Sequence, residues 1–252
     1  MRRVLIMLIL ILIFSACYAE LIINDSLQTA ADKGDPKAMY ELGMLYYDAV
    51  DNYEITEHLY LPWFQAAHLK GFAPATLMLG KCYIIGMTVD EDVEEGIRLV
   101  REAIAAGSAE AEVYLAYCHE WEIGLSANDA EVFRLYSSAM NKGYLPAKVE
   151  VGKCYRYAKG VEEDLDKAKQ LFTEAVVAGE GGGGYELGSM HYNGNGFPVD
   201  YEEAYFWTRI GMELGCGEAS GLFGFLELLL SNAEMDAANR RAMQWLEQHR
   251  KN

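Results

Sequence analysis

The cysteines are the side chains whose spacing first suggests chemistry. Three of them, Cys82, Cys118 and Cys154, are 36 residues apart. Residues that recur at the length of a helical repeat occupy equivalent places in successive repeats, whose helices pack about 8–10 Å apart. A disulfide needs Cα atoms within about 7 Å of each other. We therefore expect three free thiols that act as small buried packing residues. Cys216 lies in a different row and has no evident partner.

Histidines and carboxylates form no metal-binding motif. The five histidines are scattered along the chain: His58, His68, His119, His191 and His249. There is no His-Glu-x-x-His and no paired-Cys motif, the patterns that build zinc sites. Asp90, Asp92 and Glu94 have the spacing of calcium ligands. The calcium loop would also need Gly and Glu where this chain has Glu95 and Arg101. The sequence predicts no metal site, and Asp92 is better explained as a helix cap.

No serine is placed for nucleophilic catalysis. None begins a Ser-x-x-Lys motif or stands at the centre of Gly-x-Ser-x-Gly, the arrangements that activate a serine. Carboxylate pairs are frequent because the chain has 38 acidic residues. On solvated helix faces such pairs carry no catalytic meaning. The sequence therefore predicts a protein that is not an enzyme and that needs no cofactor.

The net charge narrows the class of partner. The chain has 21 Lys and Arg against 38 Asp and Glu, a formal net charge of −17. This excludes a general nucleic-acid binder, which displaces phosphate counterions with clustered cations. It also argues against docking on anionic lipid headgroups. The excess of acidic residues either serves solubility alone or favours association with a basic protein partner.

The N-terminus has the pattern of an export signal. Two arginines precede an apolar run over residues 4–14, and small residues follow at 15–19. This order is typical of a secretory signal peptide. The apolar run is too short to cross a hydrocarbon core of about 30 Å. We predict a signal peptide over residues 1–19 and a periplasmic chain over 20–252, with an uncleaved anchor as the alternative.

Two cleavage sites are compatible with this signal. Cys17-Tyr18-Ala19 fits cleavage before Glu20. Phe14-Ser15-Ala16-Cys17 instead resembles a bacterial lipobox, in which Cys17 is lipidated, although Leu is usual in place of Phe14. We favour the soluble periplasmic form and keep open an outer-membrane lipoprotein anchored through Cys17. No second long apolar stretch follows, so we expect no membrane span.

Four rows of residues recur every 36 or 37 positions and organise the rest of the chain. The first row is glycine: Gly34, Gly71, Gly107, Gly143, Gly179 and Gly215. The second is glycine with one alanine: Gly43, Gly80, Ala116, Gly152, Gly188 and Gly224. The third has helix-capping types: Asp92, Asn128, Asp164 and Asp200. The fourth is aromatic or histidine: Tyr46, Tyr83, His119, Tyr155 and His191.

One repeat shows what the rows predict. Ala147, Val151 and Tyr155 fall on one face of a helix, and Gly152 beside that face lets a neighbouring helix approach. Asp164 caps a second apolar period, which Gly179 ends. Each repeat is therefore predicted to be a helix hairpin.

A hairpin buries both of its faces only when neighbouring hairpins stack on it. We therefore predict an all-α fold, an α/α solenoid of stacked helix hairpins. The segment Met243–Gln248 is predicted to form a C-terminal amphipathic capping helix. The predicted repeats of about 36 residues lie near 36–71, 72–107, 108–143, 144–179 and 180–215, with a partial repeat and the cap over 216–252.

Several segments resemble Sel1-like repeats, a family related in shape to tetratricopeptide repeats. Residues 38–46 (AMYELGMLY) and 185–188 (YELG) are similar to the first helix of that repeat, and residues 194–204 (GNGFPVDYEEA) to its connector and second helix. The resemblance covers about residues 27–250. It implies a scaffold or adaptor that binds proteins, and bacterial members are often exported.

Three places depart from the family pattern. The first connector, residues 48–56, lacks the usual Gly-x-Gly-Val, and Ala116 stands where Gly is expected. Gly181–Gly184 replaces the residues that should open the fifth repeat's first helix. Because glycine disfavours helix by about 1 kcal/mol per residue relative to alanine, we expect that helix to start late. A phosphate-binding loop is disfavoured, since no Gly-Lys-Ser/Thr follows.

The face of the first helices opposite the packing face supplies the candidate binding residues, and the resemblance implies that this face lines the concave side. Aromatic residues surrounded by charges are typical of a protein-binding hot spot. The alternative, that Tyr114 and Trp121 pack between repeats, stays open. The candidates are Met78, Lys81, Ile85, Tyr114, Tyr117, Trp121, Glu150, Lys153, Tyr157 and Glu186.

We therefore expect an exported, non-catalytic scaffold or adaptor that binds a protein partner in a concave groove. A first alternative is a periplasmic immunity protein that neutralises a basic antibacterial effector. A second, favoured least, is an envelope enzyme of β-lactamase-like type or a peptidoglycan-binding protein.

Overall fold

Helices and their connections account for all the residues that the structure describes. The computed structural model describes residues 26–50 and 59–249. Within these ranges there is no strand, and the predicted all-α class is confirmed. The helices are α1 (26–32), α2 (Pro36–Val50), α3 (Leu61–Leu69), α4 (Ala73–Ile85), α5 (Val93–Ala105), α6 (Ala109–Glu120), α7 (Asp129–Asn141), α8 (Leu145–Arg156), α9 (Leu165–Val177), α10 (Gly181–Asn193), α11 (Tyr201–Glu213), α12 (Ala219–Glu227) and α13 (Asn232–His249).

Some sequence predictions fall outside these ranges. The signal peptide at 1–19, the lipidation site Cys17 and residues 51–56 of the first connector lie outside the described residues. The connector's first residues are helical, because α2 extends to Val50. None of the helices in the described ranges is both long enough and apolar enough to cross a membrane.

The chain divides into two compact units between Ala111 and Glu112. In the first unit, α2 packs on α3, α3 on α4 and α4 on α5. In the second unit, consecutive helices from α7 to α12 pack in the same way, and α13 packs on α11. The helices of these two series thus stack in chain order, and neighbouring helices bury each other's apolar faces.

The capping row starts the second helix of four repeats, as predicted. Each side chain accepts a hydrogen bond from the backbone N–H three residues further on, at 2.8–3.1 Å. Such a bond satisfies a helix N–H that has no intrahelical acceptor and stabilises the helix by about 1 kcal/mol. The caps are Asp92, Asn128, Asp164 and Asp200.

The first glycine row ends the same helices. Gly179 follows Ala178, the C-cap of α9, and has φ +99°. Only glycine takes this left-handed conformation without steric cost, so the helix stops there. The other five glycines of the row share the positive φ.

The second glycine row allows close helix packing. A Cβ at Gly152 would lie 2.5 Å from the ring of Phe172 on α9. A Cβ at Gly80 would lie 2.9 Å from the carbonyl oxygen of Gly96 on α5. A Cβ at Gly224, the last member of the row, would meet no neighbouring atom within 4 Å, so the close packing ends before α12.

The prediction that the helix after Glu180 starts late is wrong. α10 begins at Gly181, and the Glu180 side chain caps it by accepting from the N–H of Gly182. A Cβ at Gly181 would lie 2.6 Å from the carbonyl oxygen of Gly211, and one at Gly184 would lie 2.7 Å from the Gly211 amide nitrogen. Backbone contact between α10 and α11 therefore requires glycine, and this packing outweighs the propensity cost.

The C-terminal helix covers the core of the second unit. That core includes Phe172 of α9, fully buried, and Ile210 of α11. Three residues of one α13 face, Ala238, Ala242 and Leu246, close over it. The predicted capping helix is confirmed, because α13 hides an apolar surface that the last hairpin would otherwise expose.

Candidate functional site

An exposed row of aromatic side chains runs along the end of α6. Tyr114, Tyr117 and Trp121 stand on one stripe of the helix, because they are spaced at i, i+3 and i+7. The rings of Tyr114 and Tyr117 stack with centroids 6.1 Å apart, and those of Tyr117 and Trp121 are 5.9 Å apart. Tyr117 is 43% exposed and Trp121 is 66% exposed. The interpretation of Trp121 as a packing residue is therefore wrong, whereas Tyr114 is half-buried.

Tyr157 occupies the position of Trp121 one repeat later. It is the C-cap residue of α8 and is 60% exposed. Its ring lies under the guanidinium of Arg156, 5.0 Å from the ring centroid. We call Tyr114, Tyr117, Trp121 and Tyr157 the aromatic face.

The first unit has one exposed apolar residue in the same register. Ile85, the last residue of α4, is 59% exposed. The other two candidates on α4 differ. Met78 is only 7% exposed and packs with Tyr60 and Phe64 of the first unit's core, so its placement on an open face is corrected. Lys81 is half-buried and its ammonium lies 2.9 Å from Glu110 Oε1.

Met78 is covered because α4 is buried on nearly every side. Leu77, Leu79 and Gly80 are buried with it. The rings of Tyr60, the N-cap residue of α3, and of Phe64 within α3 fill the space that an open groove would need. Helix periodicity alone cannot identify an open face on a helix that is apolar all round.

Glu150 and Lys153 form an ion pair on α8. Lys153 Nζ lies 2.7 Å from Glu150 Oε2, and both side chains are partly buried. Burial raises the pKa of Glu150, although the Lys153 ammonium opposes that rise. Burial lowers the pKa of Lys153, but the Glu150 carboxylate outweighs it and the net pKa is raised. The pair therefore presents little free charge to solvent.

Glu186 is buried, which corrects its prediction as an exposed rim residue. Its Oε2 accepts a 2.6 Å hydrogen bond from Arg156 Nη1, and the two side chains are 8% and 3% exposed. Arg156 also donates from Nη2 to Ser189 Oγ at 3.2 Å. Burial raises the pKa of Glu186, while Arg156 acts to lower it. This bridge joins α8 to α10, and its guanidinium lies over the ring of Tyr157.

Sequence reasoning did not select Arg156. It lies one position before Tyr157, on the boundary between the packing and open faces of α8. Its equivalent one repeat earlier is Glu120, which is also in a network: Lys159 Nζ lies 2.7 Å from Glu120 Oε1, and Tyr136 donates to Oε2 at 2.8 Å. The available signal was a pair of charged residues, Glu120 and Arg156, at this register position in two successive repeats.

A cavity of about 300 Å³ opens beside the Glu150–Lys153 pair. Glu180, Glu186 and Glu218 also line it, and so does Tyr185. It lies within the second unit, bounded by α8, α10 and the turn before α12.

Three of the thiols and the ring of His191 are packing groups. Cys82, Cys118 and Cys154 are buried and unbonded, as predicted. Burial raises their thiol pKa values to about 11, 11 and 12, so none is a thiolate at neutral pH. His191 stacks on Phe197 with centroids 3.9 Å apart. Over the described part of the chain, no three His, Cys, Asp or Glu side chains come together as metal ligands would.

Fold and site together define a class: an all-α repeat protein that exposes aromatic residues at one recurrent helix position. The Sel1 repeat family model matches residues 36–50, 73–108, 109–144, 145–176 and 185–216, which is more than half of the chain. The chain belongs to the Sel1 repeat family. The predicted solenoid of Sel1-like repeats is confirmed, and members of this family are generally non-catalytic scaffolds suited to protein–protein interaction.

Solved structures agree with this fold. A Sel1 repeat protein from Oxalobacter formigenes is 23% identical with a TM-score of 0.66, and the match covers 84% of this chain and 88% of that one. The protective antigen c5321 of uropathogenic Escherichia coli, which displays an SLR fold, is 21% identical with a TM-score of 0.67; the match covers 88% of this chain and 48% of that longer one. The immunity protein Pa5087 from Pseudomonas aeruginosa is 16% identical with a TM-score of 0.53, covering 83% and 82%. No curated protein sequence matches the chain significantly.

Proposed function

We propose that this chain is an exported, non-catalytic scaffold that binds a protein partner through the aromatic face. The observation that carries the proposal is the exposure of Tyr117, Trp121 and Tyr157 at 43%, 66% and 60%. Large aromatic side chains are enriched at the centres of protein interfaces and supply much of the binding energy. Tyr117 and Trp121 support each other by ring contact, so little conformational entropy is lost when a partner covers them.

The charge of the chain indicates what kind of partner fits. With a net charge of −17, the protein repels acidic partners and accelerates association with basic ones. The carboxylates of Glu120 and Glu150 near the aromatic face are paired with Lys159 and Lys153, so the proposal of a basic partner rests on the net charge of the whole chain. A basic protein is therefore the proposed partner, and its association rate should fall as salt rises.

Trp121→Ala tests the face directly. Because Trp121 is two-thirds exposed, the change should leave the thermal midpoint almost unaltered. A hot-spot aromatic contributes about 2 kcal/mol or more to binding, so affinity for the partner should fall by about 30-fold. The measurement is quantitative capture of the partner from envelope extract by the tagged chain, followed by affinity determination on the captured protein.

Tyr201→Ala is the matched control. Tyr201 is also an exposed aromatic, at 40%, but it lies at the start of a second helix, α11. It contacts Tyr192 at 5.7 Å, much as Trp121 contacts Tyr117. Retention of full affinity by Trp121→Ala, or equal losses in both variants, would contradict the proposed face.

The export part of the proposal rests on residues 1–19. A signal peptide there predicts a mature N-terminus at Glu20, or one blocked at a lipidated Cys17. N-terminal sequencing and mass spectrometry of the protein from its native cell distinguish the two. An intact Met1 on cytosolic protein would contradict export.

The acidity also favours a second candidate function, neutralisation of a basic effector. The similarity to the immunity protein Pa5087 concerns the fold, so the charge carries this candidate. It predicts that co-expression of this chain with a secreted toxin encoded beside it protects the cell from that toxin. Growth of the co-expressing strain measures protection. If the cells are not protected, the neutralisation function is contradicted and only the scaffold function remains as the proposal.

A further inference from the structure

Two aromatic anchors of the face stand on turns with strained backbone. The helices α6 and α8 each end one residue before an exposed aromatic, Trp121 or Tyr157. The residues that follow these aromatics, Glu122 and Ala158, both have φ +54°. Residues other than glycine rarely adopt this left-handed conformation, because the Cβ atom comes too close to the following carbonyl oxygen. Such a turn persists only where the surrounding structure holds it.

Glycine occupies the same register position in the repeats on either side. Gly86 and Gly194 have φ +71° and +72°, a conformation that is free of strain for glycine. Two positions before these glycines the chain has Ile84 and Tyr192, which carry no charge. At this position the strained turn therefore coincides with the two repeats that build the aromatic face.

In the two strained repeats, the residue two positions before the left-handed one is charged and is held by the next repeat. Glu120 Oε1 lies 2.7 Å from Lys159 Nζ, and its Oε2 accepts a hydrogen bond from Tyr136 at 2.8 Å. Arg156 donates to Glu186 Oε2 at 2.6 Å. The Glu120 and Arg156 side chains are only 18% and 3% exposed. Each strained turn thus adjoins a bridge that fixes the end of its helix.

Lys159 connects the two anchors. It lies two residues after Tyr157, and its backbone N–H donates to the carbonyl oxygen of Cys154 at 2.9 Å, which closes the turn at the end of α8. Its ammonium holds Glu120, the residue before Trp121. One lysine therefore ties the turn that carries one aromatic anchor to the helix end that carries the other.

We propose that Glu120 and Arg156 are positioning residues, whose bridges hold the strained turns and thereby fix the two aromatic anchors of the face. The inference rests on the proposed function and concerns how its site is kept ready for a partner. A side chain that already occupies its binding position loses less entropy when a partner covers it. If Trp121 occupied that position for only about a third to a tenth of the time, the apparent affinity would fall by about three- to tenfold.

The test is ¹⁹F NMR of the protein labelled with 5-fluorotryptophan. The chain has four tryptophans, and the variant Trp121→Phe assigns the resonance of that side chain by its loss. Lys159→Met removes the ammonium of the bridge and keeps the backbone hydrogen bond. Lys148→Met is the matched control, since Lys148 Nζ lies 3.0 Å from Glu174 in another bridge between helices. The two lysine side chains are 33% and 26% exposed.

We expect one narrow Trp121 resonance in the wild type and in Lys148→Met, and a broadened or split one in Lys159→Met. Lys159→Arg keeps the charge and should keep the narrow resonance. Glu122→Gly removes the strain, as Gly86 does in its own repeat, and the Glu122 side chain is exposed. It should therefore restore the narrow resonance in the Lys159→Met background. Because both ion pairs are partly exposed, the two lysine variants should change the thermal midpoint by similar small amounts.

Three results would overturn the proposal. An unchanged Trp121 resonance in Lys159→Met would show that the bridge does not hold this side chain. Equal broadening in Lys148→Met would show a general loosening of the fold. Broadening that persists after Glu122→Gly would show that the strained turn is not its cause.

The second readout is affinity for the protein that the tagged wild-type chain captures from envelope extract. Lys159→Met should lower it by about three- to tenfold and Lys148→Met should not. Unchanged affinity in Lys159→Met, with Trp121→Ala losing the partner, would overturn the positioning role and leave the proposed function standing. Broadening in Lys159→Met, with Trp121→Ala retaining the partner, would contradict the proposed function, while the bridge would still hold the turn.

Discussion

Two glycines at equivalent repeat positions should respond oppositely to alanine. Gly188 lies in α10 against α11, where a Cβ would overlap the Thr208 hydroxyl and lie 2.9 Å from the carbonyl oxygen of Ala204. Gly224 lies in α12 with no atom within 4 Å of the same position. The substitution is chemically identical at both sites. The difference between the two changes in stability therefore separates the effect of helix packing from that of helix propensity.

The magnitudes follow from these surroundings. Alanine in place of a helical glycine gains about 0.5–1 kcal/mol. At Gly224 this gain stands alone, and the thermal midpoint should rise by about 1–4 °C for a chain of this size. At Gly188 an overpacking cost of about 1–3 kcal/mol exceeds it. The net loss of about 1–2 kcal/mol should lower the midpoint by about 2–8 °C.

Thermal unfolding followed by circular dichroism measures both variants. A third variant tests the cause: Thr208→Ala removes the hydroxyl, which donates at 2.7 Å to Ala204 within its own helix. Gly188→Ala should therefore cost less in the Thr208→Ala background than in the wild type. Equal shifts of the same sign in Gly188→Ala and Gly224→Ala would refute the assignment of this row to close helix packing.

Three further predictions concern buried groups. Arg156→Met leaves Glu186 buried without its partner and should cost about 3–5 kcal/mol of unfolding free energy, whereas Arg156→Met/Glu186→Leu should recover most of it. Urea unfolding measures the free energy of unfolding of both variants, and a double variant as unstable as the single one would contradict this prediction. Burial lowers the pKa of His191 despite Glu203 and Asp200, with Lys169 adding to the fall. The unfolded chain therefore binds more protons between that lowered pKa and the ordinary value of about 6.5, and stability rises with pH across this window. His191→Tyr, with the Tyr155 residue type of the same row, should flatten the change of thermal midpoint between about pH 5 and 7; an unchanged slope would count against it. Cys82, Cys118 and Cys154, with thiol pKa values of about 11 to 12, should react with iodoacetamide only on unfolding, after the partly exposed Cys216; mass spectrometry of native and denatured samples decides, and fast native labelling of the three would show that they are not buried.

The repeat architecture was predictable because its local rules are strong. Asp164 and Gly179 act through the backbone of their own helix, so a capping residue and a left-handed glycine can be recognised from the amino-acid sequence alone. Their recurrence at 36 residues then fixes the length of the unit. Gly152 was predictable in the same way, since a small residue beside an apolar stripe marks a close neighbour.

The remaining features depend on contacts between repeats. Gly181–Gly184 disfavours helix locally, but the contact of α10 with the Gly211 backbone decides the outcome. Met78 satisfies the periodicity of an open face, yet α3 covers it. Glu186 is charged, yet Arg156, 30 residues earlier in the chain, lets it be buried. None of these partners can be read from the spacing within a single repeat, whereas the exposure of Trp121 follows from its place at the helix end.

Site-specific photo-crosslinking tests the central claim, that the aromatic face binds a protein, most directly. The photoreactive residue p-benzoylphenylalanine replaces Trp121 in one strain and Phe225 in another, because these side chains are almost equally exposed, at 66% and 64%. Irradiation of intact native cells followed by mass spectrometry identifies whatever each position touches. We predict one discrete protein adduct, of basic composition, at position 121 and none at position 225. An adduct confined to position 225, or the same set of adducts at both positions, would contradict the account.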